Sequence, residues 1–202
     1  MEYLVMMTTH VPDGTTEGVV DDTRAREAAR SRELAAAGHL LRLWRPPLQP
    51  GEWRTLGLFA ADDGDQLEDV LASMPLRVWR TDEVTPLSPH PNDPARSRSR
   101  ENSVEFLVRL TICVPEGTPA DTVDGLKARE AERVRELAEQ GYVVRLWRPP
   151  AGPGEWRALG LWRADDAAEL HTILESLPLY DWFTVETTPL APHPNDPAIV
   201  KT

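Results

Sequence analysis

Apolar and polar positions alternate over Glu2–His10, with Tyr3, Val5, Met7 and Thr9 on one side and Leu4, Met6, Thr8 and His10 on the other. A period of two is that of a strand, because successive side chains point to opposite faces. Val11–Thr15 contains Pro and Gly and reads as a turn. Thr16 to Ala37 then reads as a long helix, capped by Thr15 or Thr16 and closed by Gly38. In it Arg24, Arg26, Arg30 and Arg32 interleave with Glu27 and Glu33, the pattern of a solvated face held by i,i+4 pairs. A second strand is expected at His39–Arg45, with Leu41 and Leu43 toward the helices and Arg42 and Trp44 away from them. After the Pro46–Gly51 turn, a third strand covers Trp53–Ala60. Leu56 and Leu58 are assigned to its helix side, and Thr55, Gly57 and Phe59 to the other. Leu67, Val70, Leu71 and Met74 form the stripe of a second helix, Gly64–Met74, which Asp62-Asp63 caps and Pro75 ends. A fourth strand over Val78–Thr85 puts Trp79, Thr81, Glu83 and Thr85 on one face.

The whole pattern then recurs. Arg42-Leu43-Trp44-Arg45-Pro46-Pro47 returns as Arg145-Leu146-Trp147-Arg148-Pro149-Pro150, and Pro-Gly-Glu-Trp-Arg follows both times. Glu2–Pro94 lies over Glu105–Pro197 at a constant offset of about 103, with about 54 of some 93 positions identical. Self-similarity on that scale is a tandem duplication of a domain-sized unit. Each copy reads β-α-β-β-α-β, the ferredoxin-like order, in an α+β chain. An antiparallel sheet with helices on one face needs a partner for the other face, and the sister copy is the expected one, giving a dimeric α+β-barrel-like unit within one chain. The expected domains are repeat 1 at 1–88, a linker at 89–103 with Arg-Ser-Arg-Ser-Arg, and repeat 2 at 104–202. The tail from Pro192 matches the start of the linker and is expected to wrap a neighbour.

Composition narrows the function classes. A 41% hydrophobic fraction and no apolar run of membrane-spanning length suit a soluble globular chain, and the N-terminus lacks the pattern of a secretory signal. A cytoplasmic protein is the simplest expectation. The net charge of −11 argues against a nucleic-acid partner, since phosphate binding needs a basic face. Cys113 is the one cysteine, and no Cys/His metal cluster is visible. Lys127 and Lys201 are the only lysines, both expected to be exposed, which disfavours Schiff-base chemistry.

The face assignments gather Arg42, Trp44, Trp79 and Glu83 in copy one, and Arg145, Trp147, Trp182, Glu186 and Arg109 in copy two. A buried carboxylate beside arginines and indoles has the ingredients of a general base, with arginine to hold a substrate carboxylate and tryptophan to wall a flat ligand. The same spacing equally fits an interior ion pair with tryptophan as core. His90 and His193, between prolines, read as packing or capping residues.

The residues resemble the muconolactone Δ-isomerase family. The resemblance rests on Leu-Val-x-x-Thr in strand one, Arg24–Glu27 and Lys127–Glu130 in the first helix of each copy, and Leu-Trp-Arg in strand two. It continues with Met74-Pro75-Leu76 and Leu177-Pro178-Leu179, and with His90-Pro91 and His193-Pro194. It implies a fused version of the family's dimer, free to assemble further as a homo-oligomer. The implied activity is a double-bond shift by proton transfer in a small unsaturated lactone carboxylate, without metal or organic cofactor. The family's strand-one lysine appears here as Met6 and Arg109, its strand-two histidine as Arg42 and Arg145, and its strand-three asparagine as Thr55 and Ala158. On this resemblance Glu186 or Glu83 is the expected base, and Arg109 stabilises the enolate. Arg42, Arg145, Trp44, Trp147, Trp79 and Trp182 are expected to bind substrate. Two alternatives stay open: a tautomerase or cyclase acting on a larger specialised metabolite, and a non-catalytic small-molecule-binding or scaffold barrel.

Overall fold

The computed structural model describes residues 1–94, 100, 103–152 and 155–199. The expected arginine-serine stretch, the Pro153-Gly154 turn and Lys201 fall wholly or partly outside them. The element order is β1 (Glu2–Thr9), α1 (Glu17–Ala36), β2 (Leu40–Arg45), β3 (Arg54–Ala60), α2 (Gly64–Ala72) and β4 (Arg80–Pro89). It repeats as β5 (Val104–Ile112), α3 (Ala120–Glu139), β6 (Val143–Arg148), β7 (Trp156–Ala164), α4 (Ala167–Glu175) and β8 (Phe183–Pro192). The α+β class and the two ferredoxin-like repeats are those read from the sequence. Among the described residues no helix is long and apolar enough to cross a membrane.

The chain divides into two units that do not follow chain order. Unit 1 is Met1–Leu87 with Ala191–Thr202, and unit 2 is Ser88–Leu190. The segment after each repeat therefore belongs with the other repeat, whereas the sequence boundaries kept 89–103 as a linker and 191–202 with repeat 2. The physical reason lies in the strand ends. Ala191 and Pro192 pair with Arg45 and Trp44 of β2, and Ser88 and Pro89 pair with Arg148 and Trp147 of β6.

In unit 1 the strands run β4-β1-β3-β2, all antiparallel, with Val5 opposite Gly57 and Val84. Unit 2 repeats this as β8-β5-β7-β6. In unit 1, α1 and α2 cover one face over Tyr3, Val5, Met7, Leu43, Phe59, Leu67 and Leu71. Phe106, Val108, Leu146, Trp162, Leu170 and Leu174 do the same in unit 2. Each buried aliphatic or aromatic side chain contributes about 1.5–3 kcal/mol. The Leu67, Val70 and Leu71 stripe is buried as its spacing requires. Asp63 caps α2 by accepting the Gln66 N–H at 2.9 Å.

Two strand assignments are corrected. In β3 and β7 it is Phe59 and Trp162 that face the helices, so Leu56, Leu58, Leu159 and Leu161 look the other way. Gly57 and Gly160 are needed because the rings of Phe59 and Trp162 fold back over them; a Cβ at either glycine would overlap the ring. The fourth strands begin later than expected, since Pro75–Trp79 and Tyr180–Trp182 are 3₁₀ turns. Trp79 and Trp182 thus end those turns instead of standing in a strand face.

Candidate active site

Each unit contains a cavity between its first helix and the helix-facing side of its sheet. In unit 2 it measures about 610 Å³. Its floor is apolar, from Leu110, Ile112, Ala158, Trp162 and Phe183, and α3 contributes Lys127, Glu130 and Val134. His90, Pro91 and Asn92 come from the segment after β4, and Arg148 from the end of β6.

Glu130 is the chemical centre of this cavity. The buried stripe of α3 is Glu130, Val134, Leu137 and Ala138, so helical periodicity places a carboxylate where an apolar residue would ordinarily sit. Its Oε2 accepts the main-chain N–H of Leu179 at 3.0 Å. Burial pushes its pKa up to about 7, against the opposing pull of that N–H. Among the described residues no arginine or lysine forms a salt bridge with it. A carboxyl group so placed exchanges a proton readily near neutral pH.

His90 reaches the cavity because its segment is anchored two ways. Asp93 accepts from Arg145 Nε at 3.2 Å and from the Leu146 N–H at 2.6 Å. His90 Nδ1 accepts the Asn92 N–H at 3.1 Å. Burial first, and then the charge of Arg148, pushes the imidazole down to about 4, so the ring is neutral at pH 7. With Nδ1 accepting, the neutral ring carries its proton on Nε2 and is a donor there. Lys127 is exposed, as expected, but it also lines the cavity, with Nζ 4.0 Å from the centre of the Trp156 ring. Trp162 is buried in the wall, and its Nε1–H has no hydrogen-bond partner.

The residues singled out from the sequence lie elsewhere. Arg109 and Glu186 are directly opposite in the β5–β8 register, on the strand faces turned from the helices, and both are exposed. Glu83 is opposite Met6 in the same way and is exposed. None of the three lines either cavity. Their faces were read correctly, but the cavities are on the other side of the sheet. Arg42 is engaged by Asp196, which accepts from its Nη2 at 3.1 Å and from the Leu43 N–H at 3.1 Å. Arg42 and Arg145 also stack on Trp44 and Trp147 at 4.7 and 4.9 Å, and both indoles are buried. Trp79 and Trp182 are half-buried and line neither cavity. Glu27, read as part of a solvated face, is in fact buried in the α1 stripe of Thr23, Glu27, Ser31 and Leu34. Sequence reasoning thus did not place Glu130, Glu27 and the histidines in a cavity. The signal was present in the motifs of the family resemblance: Lys127–Glu130, Leu-Trp-Arg, Leu-Pro-Leu and His-Pro converge on one cavity. Among the described residues no group of three or more His, Cys, Asp or Glu side chains could hold a metal ion.

Comparison with known proteins bears on the family to which these motifs belong. The muconolactone delta-isomerase family model matches residues 1–93 and again 104–196. Muconolactone Delta-isomerase 1 of Acinetobacter lwoffii is 34% identical over 90 residues, covering 45% of this chain and 91% of that protein. Muconolactone Delta-isomerase of Cupriavidus pinatubonensis is 34% identical over 90 residues, covering 45% of this chain and 95% of that protein. Among solved structures, a mutant chlorite dismutase from Candidatus Nitrospira defluvii aligns with 95% of the chain and 91% of its own at a TM-score of 0.60 and 9% identity. A heme-binding protein from Thermus thermophilus aligns with 94% of the chain and 92% of its own at a TM-score of 0.57 and 13% identity. At those identities the likeness is one of fold. The chain belongs to the muconolactone delta-isomerase family and carries that isomerase unit twice in one polypeptide.

Proposed function

We propose that unit 2 is a proton-transfer isomerase acting on an unsaturated lactone carboxylate, without a cofactor. The observation that carries this reading is Glu130, buried in a 610 Å³ cavity with its pKa near 7 and no cationic side chain in salt-bridge contact. Ionised Glu130 removes a proton from one end of the allylic system. The C–H electron pair then delocalises toward the carbonyl as a dienolate. The same carboxyl returns the proton at the other end, so the double bond moves and nothing is consumed. His90 donates from Nε2 to the developing oxyanion, and its low pKa keeps it a hydrogen-bond donor instead of a competing acid. Lys127 and Arg148 at the cavity hold the substrate carboxylate.

The cavity volume favours a second reading. Pockets of roughly 300–1,000 Å³ enclose drug-sized ligands, so the same chemistry on a larger enolisable acid fits unit 2 as well. Incubation with muconolactone in deuterated water, followed by proton NMR, tests the first reading. Isomerisation with deuterium entering the ring is expected, and Glu130→Gln should slow it by about 100-fold or more. No enzyme-dependent exchange in the wild-type protein would overturn the small-lactone reading in favour of the larger substrate.

A further inference from the structure

The two cavities share a frame but differ in chemistry. Glu27 and Glu130 hold the same place in α1 and α3, and each accepts the N–H of the leucine after proline, Leu76 at 2.8 Å or Leu179 at 3.0 Å. Around Glu27 the resemblance ends. Arg80 stands where unit 2 has Phe183, and Asp82 where it has Val185. The Arg80 side chain is 2% exposed. Its Nη1 is 3.4 Å from Glu27 Oε1, and its Nε and Nη2 clasp Asp82 at 2.6 and 3.0 Å.

The walls change as well. Thr9, Ser31 and Thr55 replace Ile112, Val134 and Ala158, and the cavity measures about 340 Å³. Cationic groups are kept: Arg24 stacks on Trp53 at 4.5 Å, and Arg45 stands where unit 2 has Arg148. Unit 1 therefore retains what anchors a carboxylate and adds hydroxyl groups. Its glutamate, however, is tied to a buried guanidinium. Burial raises the Glu27 pKa, and the Arg80 guanidinium opposes that rise while occupying the carboxylate oxygen that a substrate proton would need.

We propose that the unit 1 cavity is a non-catalytic binding site for a small hydroxylated carboxylate, and that Arg80 withholds Glu27 from proton transfer. The inference rests on the assignment of proton transfer to Glu130 in unit 2. It makes the duplicated chain an enzyme with one reactive centre and one ligand site of different chemistry.

Two measurements test it. In Glu130→Gln, unit 1 is untouched, so turnover is expected to fall by roughly 100-fold or more. Retention of about half the activity would mean that Glu27 is also a base, which overturns the inference and leaves the isomerase reading standing. Adding Arg80→Phe and Asp82→Val to Glu130→Gln rebuilds the unit 2 wall around Glu27, and a gain of roughly tenfold or more over Glu130→Gln is expected. The binding half is read by titrating L-malate into the wild-type protein and following the indole N–H signals by NMR. A saturable shift at Trp53 that Arg45→Ala removes, with Trp156 unmoved, is expected. A shift at Trp156 alone, or none at either residue, overturns the binding site. Should the wild-type protein leave muconolactone unchanged, the malate titration still decides this inference separately.

Discussion

Arg145 donates from Nε to Asp93 at 3.2 Å, and this pair seats the segment that carries His90 into the unit 2 cavity. The arginine that a sequence reader assigns to a substrate carboxylate is thus occupied by a carboxylate of its own chain. Its effect on the site is positional, since Asp93 also takes the Leu146 N–H and so fixes the segment against β6.

That arrangement makes the two docking aspartates unequal. The Asp196 side chain is 0% exposed and pairs with an Arg42 side chain that is 18% exposed; the corresponding values for Asp93 and Arg145 are 19% and 33%. Asp196→Ala should cost about 3–5 kcal/mol, because it removes a buried carboxylate that takes both the Arg42 guanidinium and the Leu43 N–H. Asp93→Ala should cost less, on the order of 1–2 kcal/mol, and should raise KM or lower kcat as His90 loses its seat. Urea denaturation of both variants with matched kinetics checks the order. Equal costs would contradict the burial difference.

Catalysis should follow the ionisation of Glu130. With a pKa near 7, the base form grows about tenfold per pH unit below 7 and levels off above it. The kcat/KM profile should therefore rise through an acidic limb centred near pH 7. A limb near 4.5 would assign the base to an ordinary exposed carboxylate. His90, lowered to about 4, should contribute no inflection near 6.5.

Stability should carry the same signature with a definite sign. The folded pKa of Glu130 lies above the ordinary glutamate value of 4.5, so between about 4.5 and 7 the folded protein holds a proton that the unfolded chain has released. This group makes stability fall as pH rises through that window. The stability of Glu130→Gln relative to the wild type should climb across it, by on the order of 3 kcal/mol at 1.36 kcal/mol per pKa unit, and then level off. His90 and His193 act in the opposite sense: each is lowered from 6.5 to about 4, so their contribution is lost as pH falls from 6.5 toward 4. Urea midpoints of wild type and variant from pH 4 to 8 separate the two effects. A flat difference would sink the raised pKa.

Glu186 offers a direct comparison between the two faces of the sheet. It sits opposite Arg109, exposed and away from the cavity lining. Glu186→Gln should keep turnover within about twofold of wild type, since an exposed carboxylate outside the site has no transition state to stabilise. A loss comparable with that of Glu130→Gln would return the chemistry to that face.

Much of the fold was legible because it follows from periodicity. The β1 and β5 faces, the α2 stripe and the element order rest on period-two and i,i+3,i+4 patterns. The β3 inversion arose because Leu56 and Leu58 are as apolar as the residues across from them; with both faces of the strand buried, alternation loses its direction. A lone carboxylate in an amphipathic stripe escapes notice for a related reason. Glu27 and Glu130 are surrounded in sequence by Arg24, Arg26, Lys127 and Arg129, and composition alone assigns such a cluster to solvent. Only the positions Thr23, Glu27, Ser31 and Leu34, spaced by fours and threes, mark the buried line. The histidine segments were hidden more deeply, because His90 follows β4 yet lines the unit 2 cavity, and His193 follows β8 yet lines the unit 1 cavity.

That crossing of segments gives each of the two segments a different cavity to serve. His193 and Asn195, from the segment after β8, line the cavity that contains Glu27, and Asp196 seats that segment on β2, while Glu130 depends on the segment after β4. Deleting the segment after Pro192 would disturb the first cavity and spare the second. A change confined to that segment would alter one cavity while an assay that reads turnover at the other still reported an intact enzyme.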